Sequence, residues 1–415
     1  MTLDSWLTRL ESLSPTEIVL GLDRMHAVLE NLDAGRPPHV LHVGGTNGKG
    51  SSVAMLSTLL RRGGYRTGAY TSPHLIRYNE RIAVNGKPVA DDEIIRAFER
   101  IEAARTDVPL TYFEFGTLAA LLVFCANDVD VAIFEVGLGG RLDAVNAIDP
   151  DAALITSIAL DHQAWLGETR DEIAREKAGI MRCGQPVVYA DTDRPASIDA
   201  AARDSGAQLL ARGRDFACDA GEHTWTWRGV RHSLPDLAMP SIQGEVQLNN
   251  AAGVLTLLEA AGFDNMLDVQ TVSGGLASIE LRGRMQSFQD SHRWRFDVAH
   301  NPAAATALAS SLNLPGRSRR VAVVGMLDDK DVEGIAGPLA PQVDEWIAVE
   351  AQSPRAIAAP ALARRIANEL NQHCEIASSI TEALAAARGR AGEEGEILVL
   401  GSFATVGPAL AALGL

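Results

Sequence analysis

The stretch Val43-Gly44-Gly45-Thr46-Asn47-Gly48-Lys49-Gly50-Ser51 decides how the first half of the chain is read. It follows the apolar run Val40 to Val43, which reads as a strand, and opens a helical pattern from about Gly50 to Arg62. A glycine-rich turn between strand and helix lets backbone N–H groups point inward at phosphate oxygens, and Lys49 adds a point charge for the β- and γ-phosphates. The loop is not a strict Walker A. Val43 stands five positions before Gly48, and Gly50 replaces the Ser or Thr that usually follows the lysine. A glycine-rich turn with a solvated lysine is the plain alternative, and the strand–loop–helix context argues against it.

Outward from this loop, Thr67 to Thr71, Val129 to Val136, Ala152 to Ile158 and Val187 to Tyr189 read as further strands between helical patterns, as in βαβ units. Val129 to Val136 is nearly continuous in apolar residues, which suits a strand buried on both faces. The strong strands end in polar residues and glycine, where an open parallel sheet presents its ligands. From about Ala211 to Gln247 the texture changes. Thr224-Trp225-Thr226-Trp227 alternates polar with aromatic and predicts a small antiparallel sheet, followed by a helix from about Asn250 to Ala261. A second alternating series begins near Trp294, with strands Trp294 to Val298, Val321 to Val324, Trp346 to Val349 and Ile397 to Leu400, and a helix after Asn301-Pro302. The expected layout is α/β throughout. Residues 1–283 form a P-loop-containing central domain with a small antiparallel β appendage, 284–291 a hinge linker, and 292–415 a Rossmann-like α/β domain.

Composition narrows the partners. The 415 residues are 47% hydrophobic and carry a formal net charge of −16, which argues against a nucleic-acid backbone as ligand. Anionic small substrates remain compatible, because a local cluster of cations and helix N-termini holds them. Cys125, Cys183, Cys218 and Cys374 are widely spaced, form no CxxC pair and read as buried free thiols of a reducing compartment. Met1 to Leu10 carries no signal-peptide pattern, and the longest apolar run, Leu118 to Ala126, is about half a membrane span. The expectation is a cytoplasmic monomer that binds neither membrane nor nucleic acid.

Gly45-Thr46-Asn47-Gly48-Lys49-Gly50-Ser51 resembles the phosphate loop of the Mur ligase superfamily, specifically its dihydrofolate synthase and folylpolyglutamate synthase branch. Further blocks carry the same resemblance in the family's order along most of the chain. They are Tyr70-Thr71-Ser72-Pro73-His74-Leu75, Asn79-Glu80-Arg81-Ile82, Glu135 to Asp143, Leu160-Asp161-His162, Glu176 to Ile180, and Asp297-Val298-Ala299-His300-Asn301-Pro302.

Glu135 attracts notice without the family, because it ends a buried strand at a sheet edge where a carboxylate can hold Mg²⁺ beside phosphates. Capping of the next helix is its bland alternative. His162 alone reads as a structural histidine, and Lys177 as part of a solvated mixed-charge face. The resemblance implies more. It makes Ser72, Glu135 and His162 ligands of one or two Mg²⁺ ions, and Lys177 a carbamylated lysine near the metal. It assigns ATP to Thr46, Asn47, Gly48, Lys49, Gly50, Ser51, Asn250, Arg284 and Asp297. The pteroate end of the substrate falls to Glu17, Ile18, Val19 and Leu20, to Thr111, Tyr112, Phe113 and Glu114, and to Leu142, Asp143 and Ala144. Core packing is the competing reading for Tyr112 and Phe113. Lys49, Lys177 and His300 are the residues expected to serve the chemistry.

The implied reaction is ATP-dependent joining of L-glutamate to dihydropteroate and to folates through an acyl phosphate. A monofunctional folylpolyglutamate synthase shares nearly every motif and stays open. A P-loop NTPase switch is the alternative from another class. A peptidoglycan-type Mur ligase is disfavoured, since residues 1–42 are too few for its nucleotide-sugar domain.

Overall fold

Runs rich in Val and Ile place alternate side chains on opposite faces of a sheet. In the computed structural model, which describes residues 1–13, 19–242, 244–312 and 319–415, that alternation builds both large sheets. The first contains β1 (His39–Gly44), β2 (Thr67–Tyr70), β3 (Ile82–Val84), β4 (Lys87–Pro88), β5 (Val131–Glu135), β6 (Ala152–Ile155), β7 (Pro186–Tyr189) and β8 (Gln208–Ala211). Its order is β4-β3-β2-β5-β1-β6-β7-β8. Val40, Phe134 and Ile155 enter the core on one face, with the helices Asp91–Arg105 and Tyr112–Ala126. Leu41, Val43, Ile133 and Leu154 enter the core on the other, with the helices Lys49–Arg62 and Glu245–Ala260. β1 is parallel to β5 on one side and β6 on the other, so the winding reverses at the strand that feeds the phosphate loop. Such a switch point opens a crevice beyond the strand ends.

The apolar run 118–126 lies in the helix Tyr112–Ala126, whose residues Glu114 to Phe124 are all buried. A helix apolar all round belongs inside a core. Among the described residues no helix is long and apolar enough to cross a membrane.

The antiparallel appendage comprises β9 (Ala217–Ala220), β10 (Thr224–Arg228) and β11 (Ser233–Ala238), in the order β11-β10-β9. Trp225 and Trp227 of β10 are buried, and Trp227 Nε1 donates to Thr256 of the helix Glu245–Ala260 at 3.1 Å. Buried Glu259 of the same helix accepts the backbone N–H groups of Val230, Arg231 and His232 at 2.7–2.8 Å. A single carboxylate thereby clamps the β10–β11 turn to the domain.

The second large sheet holds β12 (Gln286–Gln289), β13 (Arg293–Asp297), β14 (Arg320–Val324), β15 (Glu345–Ala348), β16 (Cys374–Ile376) and β17 (Glu396–Leu400), in the order β12-β13-β17-β14-β15-β16. All its pairs are parallel except β12 with β13.

Three features depart from the sequence reading. The first sheet is mixed, because Asn85 and Gly86 adopt positive φ (50° and 75°) and fold β3 and β4 into a hairpin. Residues 284–291 contain β12, an edge strand whose Gln286-Ser287-Phe288-Gln289 pattern lacks the apolar run of a central strand. Of the four free cysteines only Cys374 is buried; Cys125 and Cys218 are partly exposed and Cys183 is exposed, so apolar neighbours in sequence did not translate into burial.

Candidate active site

The loop after β1 needs its glycines for space as well as for φ. A Cβ on Gly45 (φ +136°) would lie 1.9 Å from Thr156 Oγ1, and one on Gly48 (φ +87°) would lie 2.6 Å from Asn250 Oδ1. The exit of β6 stitches the loop in place: Thr46 N donates to Ser157 O at 2.8 Å and Thr156 Oγ1 donates to Asn47 O at 2.6 Å. Gly48 opens the helix Lys49–Arg62. Lys49 Nζ donates to Gly45 O and Thr46 O, both at 3.1 Å. Burial lowers the proton affinity of Lys49, against the pull of Glu135 and Asp161. Lys177 reaches the same Gly45 carbonyl at 3.0 Å. It is 5% exposed, and burial together with the Lys49 charge lowers its pKa to about 7. Two lysines from distant segments therefore meet at one loop carbonyl, and Lys177 is not on a solvated face.

Glu135 ends β5 at 5% exposure and accepts the N–H of Ser72 at 3.4 Å. Burial raises its proton affinity, opposed by Lys49 and Arg284. Gly50 faces this carboxylate, since a Cβ there would stand 3.7 Å from Oε2. Ser51 is buried and its Oγ has no hydrogen-bond partner among the described residues. His162 caps the short helix Gln163–Leu166 in a left-handed conformation (φ 52°, ψ 38°), costly for a histidine and typical of a constrained site. Its ring lies 3.8 Å from Asp329 Oδ2, and burial lowers its pKa to about 4, so it is neutral at pH 7.

Asp161 joins the two units. It accepts Lys330 Nζ at 2.8 Å and Asn301 Nδ2 at 3.0 Å, and His300 Nε2 stands 3.6 Å away. Burial works against its charge, but the His300 hydrogen bond and its cationic neighbour Lys330 favour the carboxylate, and Asp161 is held well below the usual carboxylate range. Asn301 also exchanges hydrogen bonds with Asn47 at 2.9 and 3.1 Å. Asp161 and Asn301 lie within the family motifs but carry no role from them, and Lys330 lies outside every motif. An Asp-rich run such as Asp328-Asp329-Lys330-Asp331 looks like a solvated turn, yet Lys330 is 7% exposed.

Arg284 lies 5.0 Å from the Phe403 ring centroid, and Asp297 accepts the N–H groups of Met285 and Ala299 at 2.8 and 2.9 Å. Asn250, rather than its neighbour Asn249, packs against Gly48. A cleft of about 560 Å³ between the units is lined by the loop from Gly45 to Ser51, Ser72, Glu135, His162, Lys177, Arg284, Asp297, His300 and Phe403. An adjoining cleft shares Asn47, Asp161, His162 and His300 and adds Asn250, Trp165, Lys330 and Arg355.

The residues expected at the pteroate end do not line these clefts themselves, but Phe113 and Asp143 adjoin Gly137 and Leu138 of the first cleft's wall. Glu17 and Ile18 lie outside the described residues. Val19 O accepts Arg24, which also pairs with buried Glu114, and Gly21 N donates to Leu142 O at 3.2 Å. Thr111 and Glu114 form the capping box of the helix Tyr112–Ala126. Tyr112 packs edge-on to Tyr78 with the Arg81 guanidinium 5.4 Å from its ring, while Phe113 contacts Tyr70 and covers Gly137. Asp143 holds the N–H groups of Leu138 and Val145 at 2.8 and 3.0 Å, and burial raises its pKa to about 6. Leu142 is half-buried and Ala144 is buried. The three segments thus adjoin, with the carboxylates of Glu114 and Asp143 bonded within the chain.

Residues 43–220 match the Mur ligase middle domain, and residues 283–403 match the Mur ligase glutamate ligase domain. The chain is 41% identical over 406 residues to the dihydrofolate synthase/folylpolyglutamate synthase of Escherichia coli, covering 97% of this chain and 94% of that protein. It superposes on the E. coli FolC structure in complex with DHPP and ADP with a TM-score of 0.93 at 40% identity, covering 100% of this chain and 98% of that one. A bifunctional folylpolyglutamate synthase/dihydrofolate synthase structure with Mn, AMPPNP and L-glutamate bound matches with a TM-score of 0.91 at 39% identity, covering 100% and 98%.

Proposed function

Because this chain belongs to the dihydrofolate synthase/folylpolyglutamate synthase family of Mur ligases, we propose that it joins L-glutamate to 7,8-dihydropteroate, giving dihydrofolate, and to folates, giving polyglutamates. It is an ATP-dependent ligase, with a nucleotide and a divalent metal as its working set. The observation that carries the reading is the convergence of Lys49, Lys177 and Glu135 at the phosphate loop inside the interdomain cleft.

In this mechanism the substrate carboxylate attacks the γ-phosphorus of ATP in line, and ADP leaves. Lys49 and the loop N–H groups neutralise charge on the transferred oxygens. The glutamate amine then attacks the acyl carbon, phosphate departs, and the amine gives up a proton as the amide forms. No side-chain nucleophile takes part, so the protein's work is to align three substrates and exclude water. Asn250, Arg284 and Asp297 hold the nucleoside side, and His300 positions glutamate or phosphate. Glu135 and Ser72 supply oxygen donors, Ser51 an unpartnered buried hydroxyl and His162 a neutral imidazole. The oxygen donors fit Mg²⁺, which would neutralise phosphate charge when bound, and the imidazole joins them on the family resemblance. Closure about Gly283 would commit the substrates.

Purified protein with ATP, Mg²⁺, glutamate and either dihydropteroate or tetrahydrofolate, followed by mass spectrometry, tests the assignment. Both acceptors should gain one glutamate. Extension of tetrahydrofolate alone identifies the monofunctional enzyme, and nucleotide turnover with neither acceptor favours an NTPase.

Burial and the Lys49 charge lower the pKa of Lys177 to about 7, which brings its neutral amine within reach at neutral pH. A neutral amine adds to CO₂, forming a carbamate and releasing a proton. Protein equilibrated with ¹³C-bicarbonate should therefore show a carbamate resonance that Lys177→Ala lacks, and short carboxylic acids should partly restore that variant's activity. Absence of the resonance at pH 7.5 and above would leave Lys177 as a free amine.

A further inference from the structure

The segment from Thr71 to Arg81 leaves the first unit, touches the second, and returns. Its ends are joined, since Thr71 N donates to Arg81 O at 2.9 Å and Arg81 Nε donates to His74 Nδ1 at 2.9 Å. Its apex is braced by Glu80, whose carboxylate accepts the N–H groups of Leu75, Ile76 and Arg77 at 2.8, 3.1 and 2.9 Å. Leu75 and Ile76 pack onto the apolar core of the C-terminal unit that contains Trp294, Phe296 and Val406. Leu75 lies between two glycines. Its side chain faces Gly283, where a Cβ would stand 3.4 Å from both Leu75 methyl carbons. Its carbonyl rests on Gly407 of the helix Phe403–Ala412, where a Cβ would stand 1.9 Å from the Leu75 oxygen and 2.8 Å from its carbon. Gly407 is buried and helical, so turn geometry does not require glycine there. The close approach of another segment's backbone does.

We propose that Gly407 and Leu75 form an interdomain seat that sets the position of Ser72, making Gly407 a positioning residue for the metal and phosphate site. This rests on the proposed function. The braced loop passes a displacement on instead of absorbing it. Ser72 is three residues from the seat, and its N–H is tied to Glu135 at 3.4 Å. One methyl group on Gly407 separates two backbones that cannot swing aside. Either the units part or the loop shifts, and in both cases Ser72 moves relative to Glu135.

The test compares full-length wild type with Gly407→Ala, Leu75→Ala and Gly389→Ala. Gly389 lies on an exposed helical face of the same unit, with nothing within 4 Å of a Cβ, and controls for adding a methyl group to a helical glycine. Mn²⁺ binding with a non-hydrolysable ATP analogue is followed by electron paramagnetic resonance, beside kcat, KM and thermal midpoint. Gly407→Ala should fold with its circular dichroism intact, weaken Mn²⁺ binding by about tenfold and lower kcat similarly. The KM for ATP should stay within about twofold, and Gly389→Ala should match wild type. Wild-type Mn²⁺ affinity in a folded Gly407→Ala overturns the proposal. If that variant does not fold, Leu75→Ala decides: weakened Mn²⁺ binding supports the seat and unchanged binding overturns it. The Mn²⁺ measurement needs no turnover, so it judges the seat separately from the assignment of the reaction.

Discussion

Lys49→Ala is expected to lower kcat by about a hundredfold or more while leaving the folded protein at least as stable as wild type. The catalytic loss follows from position. Lys49 sits at the start of a helix whose N-terminal loop lines the cleft, and charge on a transferring phosphoryl group spreads toward such a helix start. Removing one preorganised charged donor from such a site costs about 3 kcal/mol of transition-state stabilisation. The stability half follows from burial. Desolvation lowers the proton affinity of Lys49, so folding disfavours its charged form. Taking the cation away relieves that penalty, and Gly45 O keeps Lys177 as its partner. Steady-state kinetics with saturating ATP and a thermal melt of the ligand-free protein measure both. A variant that keeps most of its kcat removes the phosphate loop from the mechanism.

What could be read from the chain follows from how each feature is encoded. The central strands of both sheets were legible because burial on both faces demands continuous Val, Ile and Leu, as in Val131–Glu135 and Glu396–Leu400. Edge strands carry no such demand. Gln286–Gln289 lies inside the stretch read as linker, Cys374–Ile376 is too short and polar to stand out as a strand, and the Asn85-Gly86 dipeptide, a strong hairpin signal, is what folds β3 onto β4. The phosphate loop was visible from glycine spacing, and Glu135 from its place at a strand end. Lys177, Asp161 and Lys330 were not visible as buried charges. Their surroundings are assembled from segments more than a hundred residues apart, Gly45 for Lys177 and Lys330 for Asp161. Local charge pattern reads Lys177 as solvated and says nothing of the burial of the other two. At Thr111 and Glu114 two readings coincide: the resemblance assigns them to the pteroate end, and their spacing also spells the helix cap that their side chains make.

Glu135→Gln should raise the Mg²⁺ concentration for half-maximal activity by about tenfold or more, with His162→Ala next and Ser72→Ala mildest. Gln keeps the shape and can still accept the Ser72 N–H, so the change isolates charge. A hard dication depends chiefly on anionic oxygen, whereas water readily replaces a neutral hydroxyl. The acid side should respond in a defined direction. Burial raises the proton affinity of Glu135, so its carboxylate takes up a proton at a higher pH than an exposed glutamate would. Metal and proton compete for the same oxygens, and apparent Mg²⁺ affinity should fall as pH is lowered toward the carboxylate range. In Glu135→Gln that part of the pH dependence should vanish, leaving a weaker affinity that is flat across the same interval. Removing the metal with a chelator should abolish turnover in wild type and restore it on adding Mg²⁺ or Mn²⁺. Mg²⁺ titrations at two or three pH values for wild type and Glu135→Gln decide the matter. A wild-type half-saturation concentration in Glu135→Gln, with the same pH slope, takes Glu135 out of the metal site and leaves it as a buried partner of the Ser72 backbone.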